Sequence, residues 1–156
     1  MKKNVIFLAL TLATINLFAK TPSGDKVDPS IVAKFQKEFG SSVNVSWKIV
    51  EDISVATFTA QGEVKDVYYF DDGEILGIRK YVKRDLLPET VKESILKKFD
   101  IGVIQTVYEF KEVTSSTRYF VTVVTPQYSV IVSANEFGQL EVRQKIKMKP
   151  FYVSVR

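Results

Sequence analysis

The chain contains no cysteine and no histidine among its 156 residues. Without thiolates and imidazoles it lacks the usual general base near neutral pH and the usual ligands of zinc, haem and iron–sulfur clusters. An enzyme made from this sequence would depend on Asp, Glu, Lys or Tyr, and no pair of carboxylates at a catalytic spacing is visible. We therefore predict a protein that is not an enzyme, with no catalytic residue, no metal site and no cofactor.

Glycine and excess charge are also scarce. The seven glycines are scattered singly, which excludes a phosphate-cradling glycine-rich loop. Removing Lys2 and Lys3 from the 22 basic residues leaves 20 against 18 acidic ones, so the remaining chain has a net charge of only +2. Nucleic-acid-binding proteins concentrate a larger positive excess on one face. We therefore predict no nucleic-acid partner.

The N-terminus has the three parts of a secretory signal peptide. Lys2 and Lys3 form the basic region, residues 5–18 form an apolar run, and Ala19 is a small residue suited to cleavage. The run is shorter than the ~20 residues that a membrane-spanning helix needs; a retained anchor is the alternative. We expect cleavage near Ala19, a periplasmic or secreted protein, and no stable membrane insertion after cleavage.

The rest of the sequence contains one pattern twice, a short amphipathic helix followed by alternating strands. Asp28 and Pro29 are typical of an N-cap and a first helical position, and Gly40 predicts a left-handed C-cap. Apolar residues recur at i, i+4 and i+8 in both helices, and a shift of 60 residues superposes the two stripes. These stripes are Ile31, Phe35 and Phe39 in the first helix, and Val91, Ile95 and Phe99 in the second.

The predicted fold class is α+β, a tandem repeat of a short helix followed by a four-stranded antiparallel sheet, with both halves sharing one sheet or core. The predicted segments are a signal peptide at 1–19, a flexible leader at 20–27, and repeats at 28–84 and 85–156. Residues 151–155 are expected to add an edge strand. The predicted core includes Phe35, Phe39, Trp47, Ile95 and Phe99.

A hairpin is predicted at residues 64–76, where strand-forming residues flank Asp72 and Gly73. This dipeptide favours a two-residue turn with positive φ, and residues 128–140 contain a looser copy. The acidic segment 71–74 suggests calcium binding as an alternative, but the oxygen ligands that an EF-hand loop supplies further downstream are missing. We interpret the segment as a solvated turn.

Consecutive aromatic residues at Tyr68, Tyr69 and Phe70 must point to both faces of a strand. Exposed tyrosine on a sheet is typical of protein-binding surfaces. The alternative is that a helix or the other repeat covers the second face. Tyrosines that would extend the exposed face are Tyr81, Tyr108, Tyr119 and Tyr128.

Basic residues alternate with apolar ones near the C-terminus, at Arg143, Lys145 and Lys147, so that on a regular strand they lie along one face. They would attract an acidic partner or an anionic envelope surface, or else protect an edge strand from aggregation. The candidate partner-binding residues are Tyr68, Tyr69, Phe70 and Tyr81, with Arg143, Lys145 and Lys147 steering by charge.

Five segments of the chain form a recognisable set of motifs: 35–39, 43–47, 56–58, 69–74 and 87–91. Together they resemble the PepSY-like family, also called β-lactamase-inhibitor-like, a family of small exported bacterial proteins. The resemblance implies tandem helix-plus-antiparallel-sheet repeats like those of the β-lactamase inhibitor protein, an envelope location, and a protein-binding or protease-inhibiting role. The chain departs from the family at Gly40, where proline is frequent, and the resemblance assigns no inhibitory residue to this chain.

The sequence thus predicts a periplasmic module that binds an envelope protein or peptide, with inhibition of an envelope enzyme as one form of that binding. One alternative is a carrier of small ligands, which would have an apolar pocket between helix and sheet. A second is a hydrolase, in which two carboxylates would converge in a cleft.

Overall fold

The computed structural model describes residues 27–114 and 116–148. The predicted signal peptide and the predicted strand at 151–155 lie outside the described residues. None of the described helices is long and apolar enough to cross a membrane. In chain order the elements are α1 (Pro29–Phe39), β1 (Val45–Val50), β2 (Ile53–Ala60), β3 (Glu63–Tyr69), β4 (Ile75–Tyr81), a 3₁₀ turn (Arg84–Leu86), α2 (Glu89–Lys98), β5 (Val103–Glu112), β6 (Thr117–Val124), β7 (Tyr128–Asn135) and β8 (Leu140–Lys147).

Helix α1 begins as the sequence predicts. The Asp28 carboxylate accepts a hydrogen bond from the Ser30 amide at 2.7 Å. Hydrogen bonding to the Ser30 side chain and to this amide lowers the pKa of Asp28. Its C-terminal end differs, because Gly40 has φ 98° and ψ 143°. The positive φ agrees with the prediction, but the extended ψ does not, so the predicted left-handed cap is wrong.

The strands form a single eight-stranded sheet in the order β1 to β8, and each strand is antiparallel to its neighbours. Strands β4 and β5 pair from Gly77 opposite Glu112 to Tyr81 opposite Tyr108. This ladder joins the first four strands to the last four. The α+β class is therefore confirmed, and the eight strands form one continuous sheet.

The β3–β4 turn is longer than predicted. Phe70 donates its amide to the Glu74 carbonyl, and Gly73 donates to the Phe70 carbonyl, which is a three-residue loop ending at a glycine with φ 76°. A bulge then shifts the register, since Tyr69 pairs with Ile75 whereas Tyr68 pairs with Gly77. The extra loop residue and the bulge compensate each other.

Both helices pack on the same face of the sheet, over two neighbouring clusters. Under α1, the ring of Phe35 contacts those of Phe58 and Trp47 at centroid distances of 5.1 and 5.5 Å. Under α2, Val91 and Ile95 are fully buried against β5, β6 and β7. The predicted core positions are confirmed for Phe35 and Ile95, and Phe39, Trp47 and Phe99 pack at its margin half-buried.

Each helix also contacts a hairpin turn. In the first half, the Lys34 ammonium donates to the Asp72 carbonyl at 3.0 Å. In the second half, the Thr90 hydroxyl donates to the Glu136 carbonyl at 2.8 Å. The β7–β8 turn repeats the hydrogen bonds of the β3–β4 turn, with Gly138 in the place of Gly73. In each half a helix side chain thus donates to a carbonyl of the hairpin turn, although the two donors occupy different positions along their helices.

Candidate functional site on the helix-free face of the sheet

Side chains alternate across each strand, so half of the sheet residues point away from the helices. On β3, Val67 and Tyr69 face α1, whereas Asp66 and Tyr68 point to the opposite side. We call this opposite side the helix-free face, because both described helices pack on the other one. A third apolar cluster, separate from the two under the helices, forms on the helix-free face.

Five aromatic side chains form a continuous cluster there, which we call the aromatic cluster. Tyr68 meets Phe110 edge to face at a centroid distance of 5.4 Å, and Phe110 meets Phe120 at 6.5 Å. Tyr81 meets Tyr108 edge to face at 6.2 Å, and Tyr108 stands directly opposite Phe120 in the β5–β6 ladder. Edge-to-face pairs at these distances are favourable.

Gly77 explains how Phe110 reaches Tyr68 across the intervening strand β4. A β-carbon added at Gly77 would lie 2.6 Å from the ring of Phe110 and 2.7 Å from the Lys111 carbonyl oxygen. The Phe110 ring therefore occupies the space that a side chain on β4 would fill. The aromatic cluster depends on this glycine for its continuity between β3 and β5.

A buried ion pair crosses the same face. The Asp66 carboxylate accepts hydrogen bonds from Arg79 Nε at 2.8 Å and from the Thr57 hydroxyl at 2.6 Å. The Arg79 guanidinium also lies 5.0 Å from the ring centroid of Tyr108 and 5.8 Å from that of Tyr68. Arg79 thus carries its charge between two rings, where cation–π attraction adds to the ion pair.

Burial changes the acidity of the two tyrosines at the C-terminal end of β3. Desolvation raises the pKa of Tyr68 to about 12, and desolvation likewise raises the pKa of Tyr69 to about 12. The Tyr69 hydroxyl is buried on the helix side and has no hydrogen-bond partner among the described residues. Both phenols therefore stay protonated at neutral pH.

The aromatic cluster emerges into solvent at one end of the sheet. Tyr81 is 51% exposed and Val103 is 59% exposed. Together with Ile104, Gln105 and Val124 they line an open depression of about 460 Å³. Arg84 completes its wall from the 3₁₀ turn. This end of the helix-free face, which combines apolar side chains with the Gln105 amide and the Arg84 cation, is the candidate functional site.

The structure separates the four aromatic residues that the sequence singled out. Tyr68 and Tyr69 are only 3% and 0% exposed, so neither offers an open contact surface. Phe70 is exposed but lies just beyond the end of β3, at the β3–β4 turn. Of the four, Tyr81 alone stands exposed on the helix-free face.

The prediction that Arg143, Lys145 and Lys147 share one face is wrong, because β8 contains a bulge. Ile131 pairs with Gln144 but Val132 pairs with Val142, which leaves Arg143 as the extra residue. Arg143 points to the helix-free face, where it donates to the Ser133 hydroxyl. Lys145 and Lys147 project to the helix side.

Two of the tyrosines that were expected to extend the exposed face are also on the helix side. Tyr119 belongs to the cluster under α2, and Tyr128 packs against that cluster, with the Lys145 ammonium 3.8 Å from its ring centroid. The sequence analysis did not include Phe110 and Phe120 among the candidate residues, although side-chain alternation along β5 and β6 could have placed them on one face. Without the strand pairing, nothing in the sequence related them to Tyr68.

The alternative functions find less support in the geometry. The two best-formed depressions on the described surface have volumes of about 360 and 460 Å³, and no residue of α1 or α2 lines either one. Within residues 27–114 and 116–148, no group of three or more acidic side chains could hold a metal ion. In the turn at 71–74, the Asp72 carboxylate accepts the Glu74 amide at 2.9 Å, as a turn residue does.

Comparison with known proteins gives structural matches only, since no protein-family profile and no curated protein matches the sequence. A DUF2874 family protein from Bacteroides uniformis superposes with a TM-score of 0.66 at 16% identity, covering 78% of this chain and 90% of that one. A candidate periplasmic protein from Bacteroides eggerthii gives 0.67 at 19% identity, covering 83% and 95%. A BLIP-like protein from Bacteroides fragilis gives 0.61 at 17% identity, covering 86% and 95%.

These identities are low, but the matches extend over nearly the whole of each neighbour. Such a likeness establishes the arrangement of the backbone and leaves function to the residues of the site. The resemblance noted in the sequence is confirmed at this level: the chain has the fold of the BLIP-like and DUF2874 proteins.

Proposed function

We propose that the protein is an exported binding module that contacts an envelope protein or peptide through the exposed end of the aromatic cluster. The observation that carries this proposal is the position of Tyr81, half exposed beside Tyr108 on a sheet face that no described helix covers. Tyrosine and other large aromatic residues contribute disproportionately to protein–protein affinity when a partner desolvates them.

The buried part of the aromatic cluster supports the same role. Because Phe110, Phe120 and the Asp66–Arg79 pair hold their neighbours in place, Tyr81 and Tyr108 are ordered before any partner arrives. A preorganised surface loses less side-chain entropy on binding. In this proposal the protein acts by binding and not as an enzyme, and inhibition results where the bound partner is an envelope enzyme.

Export and internal duplication belong to the proposal as well. The N-terminal segment with Lys2, Lys3 and Ala19 supports export, as does the description of the Bacteroides eggerthii neighbour as a candidate periplasmic protein. The equivalent hydrogen bonds of the β3–β4 and β7–β8 turns, each of which lies against the preceding helix, support segments 28–84 and 85–156 as two copies of one unit.

Site-specific photocrosslinking tests the binding surface. A photoreactive phenylalanine replaces Tyr81, and in a control chain it replaces Leu96, which is 52% exposed on α2. We expect light-dependent crosslinks to a defined envelope protein from position 81 and none from position 96. Equal crosslinking from both positions, or crosslinking from position 96 alone, would place the binding surface elsewhere.

A further inference from the structure

The charges on the helix-free face are mostly neutralised in pairs. Each acidic side chain that points to this face from strands β3 to β8 has an arginine partner. Lys48, on the edge strand β1, is exposed on this face without an ion-pair partner among the described residues. The pairs are Asp66–Arg79, Glu112–Arg118 and Glu141–Arg143, with N···O distances of 2.7, 3.3 and 2.8 Å.

Arg84 differs from these arginines, because no carboxylate among the described residues pairs with it. Its Nη1 donates to the Ile104 carbonyl at 3.2 Å, which holds the guanidinium at the wall of the depression. A guanidinium has five N–H donors, so most of its capacity is left for a ligand. Asp85, the next residue, does not line the depression.

We infer that the depression beside Tyr81 binds a segment of the partner protein in which an acidic side chain accompanies an apolar one. The carboxylate of a partner Asp or Glu accepts from Arg84, and the apolar side chain lies against Tyr81, Val103 and Val124. This inference rests on the proposed function and specifies the chemistry of its partner. Arginine is suited to the role because its planar donors match a carboxylate.

The spacing of the two side chains follows from an extended conformation of the bound segment. The depression is open, and strands β4, β5 and β6 supply all of its lining residues except Arg84, so we take the segment to be extended like these strands. In an extended chain, residues i and i+2 point to the same side. The acidic and apolar residues are therefore two positions apart in the bound segment.

A library of random peptides displayed on phage tests this chemistry with the purified protein as bait. We expect the enriched peptides to carry Asp or Glu two positions from an aromatic or aliphatic residue. An enriched peptide is then synthesised with an amidated C-terminus, so that its side-chain carboxylate is the acid that is tested. This peptide should bind Arg84→Gln about tenfold more weakly than the wild type, because the hydrogen bonds between the guanidinium and the carboxylate are lost. Arg84→Glu should select basic peptides instead.

Lys48→Gln serves as the matched control, because it removes from the same face, far from the depression, a cation that has no ion-pair partner among the described residues. This variant should bind the peptides as the wild type does.

Two outcomes overturn this inference and leave the proposed function standing. In the first, the enriched peptides depend on Tyr81 but show no preference for acidic residues; in the second, they bind Arg84→Gln as well as they bind the wild type. A peptide that binds only with a free C-terminal carboxylate also overturns it. If no peptide is enriched, or if Tyr81→Ala binds the enriched peptides normally, the proposed function fails as well. Thermal melting of each variant confirms that it is folded.

Discussion

Arg79 and Asp66 stand opposite each other on β4 and β3, with Nη2 of the arginine 2.7 Å from Oδ2 of the aspartate. Both residues are under 9% exposed, and the carboxylate also holds the Thr57 hydroxyl. A buried pair of this kind makes the two charges mutually dependent, because neither is well solvated without the other.

Removing one partner of this pair should therefore be costly. Arg79→Met leaves the Asp66 carboxylate buried and unpaired, and we expect it to lower the free energy of unfolding by about 3–5 kcal/mol. The double variant Asp66→Leu/Arg79→Met should recover most of this loss, because no buried charge remains. Urea denaturation measures both. A single variant as stable as the wild type would mean that the aspartate is hydrated in solution.

The contact between α2 and the β7–β8 turn can be separated from backbone strain by comparing two glycines. Gly138 and Gly62 have nearly equal φ angles of 79° and 78°, so alanine at either position is strained by about 1–2 kcal/mol. A β-carbon at Gly138 would also lie 2.5 Å from the Thr90 carbonyl oxygen, whereas none of the surrounding atoms lies within 4 Å at Gly62. We expect Gly138→Ala to lower stability clearly more than Gly62→Ala. Equal losses of stability for the two variants in thermal unfolding would show that α2 moves away from the added β-carbon without destabilising the protein.

Gly77 should be intolerant of a side chain for a different reason. Alanine there would displace the Phe110 ring from Tyr68, and we expect a loss of about 1–3 kcal/mol, which is typical of overpacking. The near-ultraviolet circular dichroism of the aromatic cluster should change with it. Thr59→Ala, at an exposed position of β2, is the control and should stay within about 0.5 kcal/mol of the wild type. An unchanged spectrum for Gly77→Ala would contradict the packing described.

Alkaline pH should destabilise the fold through Tyr68. Its pKa is about 12 in the folded protein against 10.0 in the unfolded chain, so above pH 10 the unfolded state loses this proton first. The contribution is complete below pH 10 and disappears as the pH rises to 12, amounting to about 2–3 kcal/mol. Tyr68→Phe should reduce the fall in stability between pH 10 and 12, and part of the fall should remain because the pKa of Tyr69 is raised to about 12 as well. Parallel curves for Tyr68→Phe and the wild type would argue against this account.

At neutral pH, Tyr69 offers a stabilising substitution. Its hydroxyl is buried without a partner among the described residues, and an unsatisfied buried polar group costs about 1–3 kcal/mol. Tyr69→Phe removes that group and keeps the ring against Trp47, so the midpoint of urea unfolding should rise. A fall would show that the hydroxyl has a partner in solution.

Local features of the fold were predictable because they depend on neighbouring residues. The N-cap at Asp28 and the helical stripe with Ile31 and Phe35 follow from short-range geometry. The predicted two-residue turn also gives the observed register of the β3–β4 hairpin, although the actual turn differs from the predicted one. Asp66 pairs with Arg79 as the predicted two-residue turn would also require, because the bulge compensates for the longer loop.

The composition of the candidate site was decided by tertiary structure. Side-chain alternation along β3 predicts that Tyr68 and Tyr69 point to opposite faces. It does not predict that Phe110, which is 42 residues from Tyr68 in the chain, packs against Tyr68 and buries it. In the same way, the bulge in β8 separates Arg143 from Lys145 through its pairing with β7.

The sequence by itself thus determined that thiolate and imidazole chemistry is missing, because it contains no cysteine and no histidine. It also determined the helices, the strands and the side-chain alternation along each strand, because these are properties of short segments. Three features were decided only in the folded chain: which face the described helices leave uncovered, which aromatic residues are buried, and where Arg84 lies relative to Tyr81. The physical reason is that burial and strand register depend on contacts between residues far apart in sequence, and a single inserted residue reverses the face of every side chain beyond it.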